Sequence, residues 1–292
     1  KKFIIELIQK KAIYFMDNEN YVTTINLLSI DMVTYDKYLP LIIPKTKRNI
    51  NRIKNYELGK QTISFGWVGR ITKFKFFSLI KIISDLCEYY KKNPNTFMNF
   101  YIVGDGELTA ELNAYIDKLD PPYEIKFVGT VKNKDLTDFI FENMDLVFTM
   151  GLSALELAQN SIPTIVTPFS YSEIKSNLNY KFLYNMNEYD LGCQHIADNS
   201  LPNQLELLLD YFLLNNKSVS KSNKEYIEKY FNNNINVSKF INAISNSSYR
   251  IDDVIKNKFT NPDLISLILK RLNCMIKSKP IISNENNLRQ DC

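Results

Sequence analysis

Apolar residues in this chain follow two rhythms. From residue 61 to about 184, short unbroken apolar runs alternate with longer segments of helical periodicity. The runs Ile63–Val68, Phe97–Val103, Glu124–Val128, Asp145–Thr149 and Pro163–Val166 predict strands, and Tyr180–Tyr184 predicts a further one. Between them Phe74–Lys92, Glu107–Leu119, Asp135–Asn143 and a segment from Ser153 to about Asn160 predict helices. Strand–helix alternation with short connections predicts an α/β fold: a doubly wound, Rossmann-type parallel sheet with helices on both faces.

The flanks read differently. Phe3–Lys10 predicts a short amphipathic helix, Ala12–Met16 a strand, Tyr21–Ile30 a helix, and Leu41–Ile43 an apolar run closed by Pro44. Past residue 203 only helical patterns remain, at Asn203–Leu214, Lys221–Phe231, Val237–Ile244 and Asp263–Ile276. The expected organisation is the end of an N-terminal unit with a basic linker (1–60), an α/β domain (61–202), a helical C-terminal extension (203–278) and a polar tail expected to be disordered (279–292).

Ligands of open α/β sheets bind outside the carboxyl ends of the strands. Four predicted strand ends carry suggestive residues. The first is Gly66-Trp67-Val68-Gly69-Arg70 with Lys75 five residues beyond Arg70. An arginine fork and a lysine point charge together neutralise a diphosphate. The second is Val103-Gly104-Asp105-Gly106, whose glycines allow a tight turn and a close backbone approach; Thr109 stands where a dinucleotide fingerprint needs its third glycine. The third, Phe127-Val128-Gly129-Thr130, offers backbone groups to a flat base. The fourth, Gly151-Leu152-Ser153 with Glu156 three residues after Ser153, combines a glycine turn, a helix N-terminus that attracts phosphate, and the spacing of a capping box. Glu156 is a candidate for hydrogen bonding to ribose hydroxyls or for the capping role.

Composition narrows the function classes. Hydrophobic residues make up 45% and charged residues 23%, enough apolar material for a packed core. The net charge of +4 is mild, and with no zinc spacing, RNP-like aromatics or helix-turn-helix pattern, no nucleic-acid partner is expected. Positive charge concentrates at Lys45, Lys47, Arg48, Arg52, Lys54 and Lys60. This stretch and the Phe3–Lys10 helix are candidates for reversible, peripheral contact with a membrane. Cys87, Cys193, Cys274 and Cys292 form no CxxC pair, and no apolar run approaches the length of a membrane span, so a reduced, cytoplasmic protein is expected. His195 is the sole histidine, which disfavours a histidine metal site, and the sequence carries no GxSxG elbow. His195 is expected to be structural or superficial.

Together the four loops resemble the nucleotide-binding C-terminal half of a GT-B glycosyltransferase, most similar to glycosyltransferase family 4. The resemblance rests on Gly69, Arg70 and Lys75, on Val103-Gly104-Asp105-Gly106, on Phe127-Val128-Gly129, and on Gly151, Leu152, Leu155, Glu156 and Pro163. It implies a bacterial-type hexosyltransferase using a nucleotide-diphospho-sugar donor. The acceptor would be a surface polysaccharide or lipid-linked glycan. It assigns Arg70 and Lys75 to the donor diphosphate and Glu156 to the ribose. Gly69, Gly104, Gly106, Gly129, Thr130, Gly151, Leu152 and Ser153 would line the nucleotide and phosphates. Neither cofactor nor metal is implied. Two departures stand out. Phe148 occupies the place of a carboxylate that touches the donor sugar in the family. The part before residue 61 is short or truncated against the family's acceptor domain. A non-catalytic sugar-nucleotide-binding protein of this fold is the alternative.

Overall fold

The computed structural model describes residues 1–41, 43, 62–131, 133–197 and 204–257. Its centre is a six-stranded sheet with the order β3-β2-β1-β4-β5-β6. The strands are β1 (Thr62–Val68), β2 (Phe97–Val103), β3 (Glu124–Gly129), β4 (Leu146–Thr149), β5 (Thr164–Val166) and β6 (Lys181–Phe182). Pairings from β3 to β5 are parallel, and β6 runs antiparallel to β5. The chain winds outward from β1 through β2 to β3, then crosses back to place β4 on the other side of β1. Connections therefore leave β1 and β4 in opposite directions, and a crevice opens between their carboxyl ends.

Strands β1 and β4 are buried along nearly their whole length. A strand covered on both faces has no polar side, which is why each reads as an unbroken apolar run. Phe65, Trp67, Phe100, Phe148 and Ile165 point to one face, against α3 (Lys73–Lys92) and the start of α7 (Gln204–Tyr230). Val68, Val103 and Val147 meet α5 (Asn133–Asn143) and α6 (Leu152–Gln159) on the other. Gly66 faces this second layer, where an added Cβ would lie 2.2 Å from the Met144 sulfur. Trp67 is fully buried; its truncation to alanine should cost about 3–5 kcal/mol.

Helices α1 (Lys2–Gln9) and α2 (Asn18–Leu28) pack with Phe15, Tyr21 and Val33 into a small separate cluster. This N-terminal segment is tied to the C-terminal helices α8 (Asn233–Asn246) and α9 (Ile251–Lys256). The Ser248 N–H donates to the Lys10 carbonyl at 2.9 Å, Lys239 pairs with Asp36 at 3.0 Å, and Lys10 pairs with Asp253. Helix α4 (Thr109–Leu119) packs beside α3.

Several sequence expectations need correction. Ala12–Met16 is not a strand: Phe15 alone makes a single bridge, to Tyr38, and among the described residues no further pairing extends it. The helices expected at 203–214 and 221–231 are the two stretches of α7, which break at a kink at Asn215 as expected, but the second begins earlier than 221. The polar stretch between them continues the helix after this kink. The extra strand at 180–184 shrinks to Lys181–Phe182 followed by a 3-10 turn, Leu183–Asn185. The short helix α9 was not expected. The basic stretch Lys45–Lys60, the Asp263–Ile276 segment and the polar tail lie outside the described residues. Among the described residues no helix is long and apolar enough to cross a membrane.

Candidate functional site

The β1/β4 crevice is framed by the segment after β1 and the turn into α6. Gly69 donates its N–H to the Val103 carbonyl at 3.0 Å, and Ile71 donates to the Asp105 carbonyl at 3.1 Å. These bonds fix the path of the loop. Arg70, between them, is exposed. Thr72 caps α3 through its backbone carbonyl, which accepts from the Lys75 and Phe76 amides at 2.9 Å each.

Lys75 folds back over the loop: its Nζ lies 3.3 Å from the position a Cβ would take on Gly69, and 5.6 Å from the centre of the Phe74 ring. Burial lowers the Lys75 pKa, and the positive charge of Arg70 lowers it further. Both influences oppose the ammonium charge, and neither cation has an acidic partner among the described residues. Lys81, one turn and a half along the same helix, shows the contrast, since it pairs with Asp85 at 2.7 Å. Beside these cations in the sequence, the Thr72 Oγ1 is buried with no hydrogen-bond partner among the described residues. Such an orphaned atom calls for a water, an ion or a ligand. Thr72 was missed in the sequence, where a threonine before a helix reads only as a cap.

Across the crevice, Gly151 is the N-cap of α6, at φ 69 and ψ −143, a conformation close to glycine-only backbone. Its N–H donates to the Leu191 carbonyl at 2.8 Å. An added Cβ on Gly151 would meet nothing within 4 Å, so its exposed side faces open space. The helix begins at Leu152, one residue earlier than expected. Ser153 is therefore inside the first turn and makes no capping bond, and the capping box with Glu156 does not form. The amides of Leu152 and Ser153 have no acceptor among the described residues and carry the positive end of the helix dipole. Glu156 lies on the exposed side of α6, yet enough protein surrounds its carboxyl that burial raises its pKa. With the capping role removed, this carboxyl is open to a ligand.

The other two strand ends have different work. An added Cβ on Gly104 would lie 2.1 Å from the Gly69 carbonyl oxygen, and one on Gly106 would lie 2.2 Å from that of Ile71. These glycines approach the neighbouring loop. The Gly104 N–H donates to the Gly129 carbonyl at 2.8 Å, and the Gly106 N–H donates to Asp105 Oδ1 at 2.8 Å and Thr109 Oγ1 at 3.1 Å. Their donors are already satisfied within the chain. Gly129, at φ 73, faces open space, and Thr130 beside it is exposed. Phe148 is fully buried among Phe65, Phe100 and Tyr180, so its side chain faces the core. His195 is half-buried, with Nε2 2.9 Å from the Ser176 hydroxyl, and sits in a separate cavity at the end of β5. Among the described residues no three histidine, cysteine or acidic side chains converge as a metal site.

No family model matches the sequence, and no curated protein matches it. Solved structures do. TarM from S. aureus, in complex with fondaparinux, α-GlcNAc-glycerol and UDP, is 16% identical with a TM-score of 0.52, covering 83% of this chain and 45% of its own. A second TarM structure gives 17% identity, a TM-score of 0.51 and the same coverage of 83% and 45%. The pneumococcal O-GlcNAc transferase GtfA, with UDP and GlcNAc, is more distant: 12% identity and a TM-score of 0.47, covering 84% of this chain and 48% of its own. The chain thus spans somewhat less than half the length of these structures. At such identities the likeness speaks to architecture, and the chain has the fold of the GT-B glycosyltransferases.

Proposed function

We propose that this chain is a glycosyltransferase that takes a hexosyl group from a nucleotide-diphospho-sugar. The observation that carries the reading is that Lys75, desolvated, stands beside the exposed Arg70 at the topological switch point, with no acidic partner for either among the described residues. The protein bears the cost of crowding two positive charges there, and a diphosphate relieves it. Thr72 Oγ1 and the Leu152 and Ser153 amides add donors of the kind a phosphate oxygen accepts. Glu156 bonds the ribose, and Gly129 and Thr130 lie under the base. The UDP in the TarM complex accords with this reading.

In transfer, the bond from the sugar's anomeric carbon to the diphosphate oxygen breaks and one to an acceptor hydroxyl forms. The acceptor proton leaves to a base or solvent, and negative charge grows on the departing nucleoside diphosphate. Arg70, Lys75 and the α6 N-terminus stabilise that charge from fixed positions, without a metal ion. The proposed acceptor is a surface-polysaccharide or lipid-linked glycan. The peripheral membrane contact expected of Lys45–Lys60 and the first helix belongs to the same proposal and rests on the sequence. A sugar-nucleotide-binding protein without transfer is the second reading, favoured by the burial of Phe148.

A thermal-shift screen of nucleosides, nucleoside diphosphates and nucleotide sugars tests the proposal. Ligand at 100 times its Kd should stabilise the fold by about 2.7 kcal/mol. Stabilisation by diphosphates with slow release of free sugar from the donor supports transfer. Stabilisation with no hydrolysis and no transfer selects the second reading, and indifference to every diphosphate overturns both.

A further inference from the structure

Five non-glycine residues have positive φ among the described residues. Lys11, Ser29, Asp120 and Ser161 stand at the C-cap of a helix or one residue past it, where left-handed backbone is a routine way to stop. Tyr189, at φ 59, ends no helix. It is the third residue of a turn that the Asp190 N–H closes on the Asn187 carbonyl at 3.1 Å. Positive φ at that position calls for glycine or asparagine. Tyr189 is also buried. A bulky residue persists in such backbone only where its surroundings over-determine it.

Those surroundings come from both ends of the described chain. On the N-terminal side the Tyr38 ring lies 4.8 Å from the Tyr189 ring, centre to centre, and the Asn18 N–H donates to the Tyr189 carbonyl at 2.9 Å. The Tyr38 hydroxyl donates to Asn18 Oδ1 at 2.7 Å, which ties these two clamps together. On the C-terminal side Phe231 meets the Tyr189 ring edge-on at 5.7 Å, and Lys239 Nζ donates to the Tyr189 hydroxyl at 3.1 Å. The residues that follow Tyr189 hold the start of α6. Asp190 Oδ1 accepts the Gly192 N–H at 3.1 Å and shapes a tight loop. The Leu191 carbonyl in that loop accepts the N–H of Gly151, the N-cap of α6, at 2.8 Å. Ala154 and Leu155 of α6 pack in one cluster with Tyr189 and Leu191.

We propose that Tyr189 is a positioning residue: its clamped, strained turn aims the Leu191 carbonyl at the Gly151 amide and so fixes the Leu152 and Ser153 amides at the crevice. Donors that meet a growing negative charge act from fixed positions, and a shift of about half an ångström weakens them. Tyr38, in the N-terminal segment, thereby bears on the crevice through Tyr189. The use of the two amides on a diphosphate rests on the glycosyltransferase reading; the link from Tyr189 to α6 does not.

Gly151-Leu152 is the sole Gly-Leu pair in the sequence, so protein carrying 13C-carbonyl glycine and 15N-leucine gives one correlated amide resonance, that of Leu152. The variants are Tyr189→Leu, Tyr189→Phe and Tyr38→Leu. Should Tyr189→Leu fail to fold, Tyr38→Leu removes a clamp and leaves the turn residue in place. Tyr189→Leu and Tyr38→Leu should each move the Leu152 resonance of the ligand-free protein and weaken UDP about fivefold, with uridine affinity unchanged. Tyr189→Phe keeps the ring, and it should keep the resonance and the UDP affinity. That pattern supports the proposal. A Leu152 resonance unmoved in folded Tyr38→Leu overturns it, and so does an undiminished UDP affinity. Equal losses of UDP and uridine affinity, or a Tyr189→Phe no better than Tyr189→Leu, overturn it too, because a residue serving the fold alone behaves in that way. If UDP does not move the Leu152 resonance of the wild type, the diphosphate site at α6 falls, and the ligand-free comparison still decides whether Tyr189 holds α6.

Discussion

The loops after β1 and β2 look alike in sequence and do opposite things. Each carries a parallel strand through a glycine into a helix on the same edge of the sheet. After β2 the polar groups close on themselves: the Thr109 hydroxyl bonds Asp105 Oδ1 at 2.8 Å, and the Gly106 N–H bonds both side chains. Those bonds hold the Asp105 pKa below the usual carboxylate range. After β1 the groups stay open: Thr72 Oγ1 is orphaned, and Lys75 is desolvated beside Arg70. The closed loop braces the open one, with Leu108 donating to the Ile71 carbonyl at 3.3 Å and Val103 accepting from Gly69 at 3.0 Å. Glycine spacing announces a close backbone approach, but it does not say what is approached.

The sharpest way to break this division of labour is Gly104→Ala. The new methyl would collide with the Gly69 carbonyl, at a backbone φ of 136 that side chains avoid. Overpacking and backbone strain together should cost about 3–5 kcal/mol. Urea unfolding measures the loss, and a change below about 1 kcal/mol would show that the bracing is slack.

The next effect is on ligand rather than fold. Arg70→Ala should weaken UDP by about 1.5–3 kcal/mol, through a lost charge-assisted contact, and leave uridine affinity unchanged. Calorimetry that finds equal losses for both ligands removes Arg70 from the phosphate site. A smaller effect, about 1 kcal/mol, is expected for Glu156→Gln. It should weaken UDP more than 2′-deoxy-UDP, and an unchanged ratio of the two affinities argues against a bond to the ribose 2′-hydroxyl. The smallest is Thr109→Val. It should cost the fold about 1 kcal/mol and change UDP affinity less than twofold, because its partners are in its own loop. A tenfold loss of UDP affinity there would return the β2 loop to the site.

Much of this architecture is legible in the chain. The buried runs at 63–68 and 145–149 mark the central strands because two-sided burial removes polar alternation, whereas β2 alternates buried with half-buried positions and is marked by its apolar composition. The glycines at strand ends mark the carboxyl edge of the sheet, where the proposed site lies. The start of α6 was misread because Ser153 and Glu156 have cap spacing, while Gly151 turns the backbone into the helix two residues before the serine. Thr72 was missed because nothing in sequence separates a satisfied cap from an orphaned one. The cavity at the end of β5 was invisible because its walls come from positions 166 to 196, brought together by backbone bonds between loops.

The central claim is that Lys75 is held charged and acid-free for a diphosphate, at the expense of the fold. The sign follows from its lowered pKa: the unfolded chain keeps the Lys75 proton to higher pH than the folded one. Stability attributable to this group therefore rises with pH between the lowered value and the ordinary lysine range, and below that window its charge destabilises the fold. Lys75→Met keeps the length and removes the charge. Thermal unfolding and UDP calorimetry on that one variant, at neutral pH, should show an unchanged or raised Tm together with at least a tenfold loss of UDP affinity, about 1.4 kcal/mol. A lowered Tm with UDP affinity intact would mean that Lys75 serves the fold and that the diphosphate site lies elsewhere.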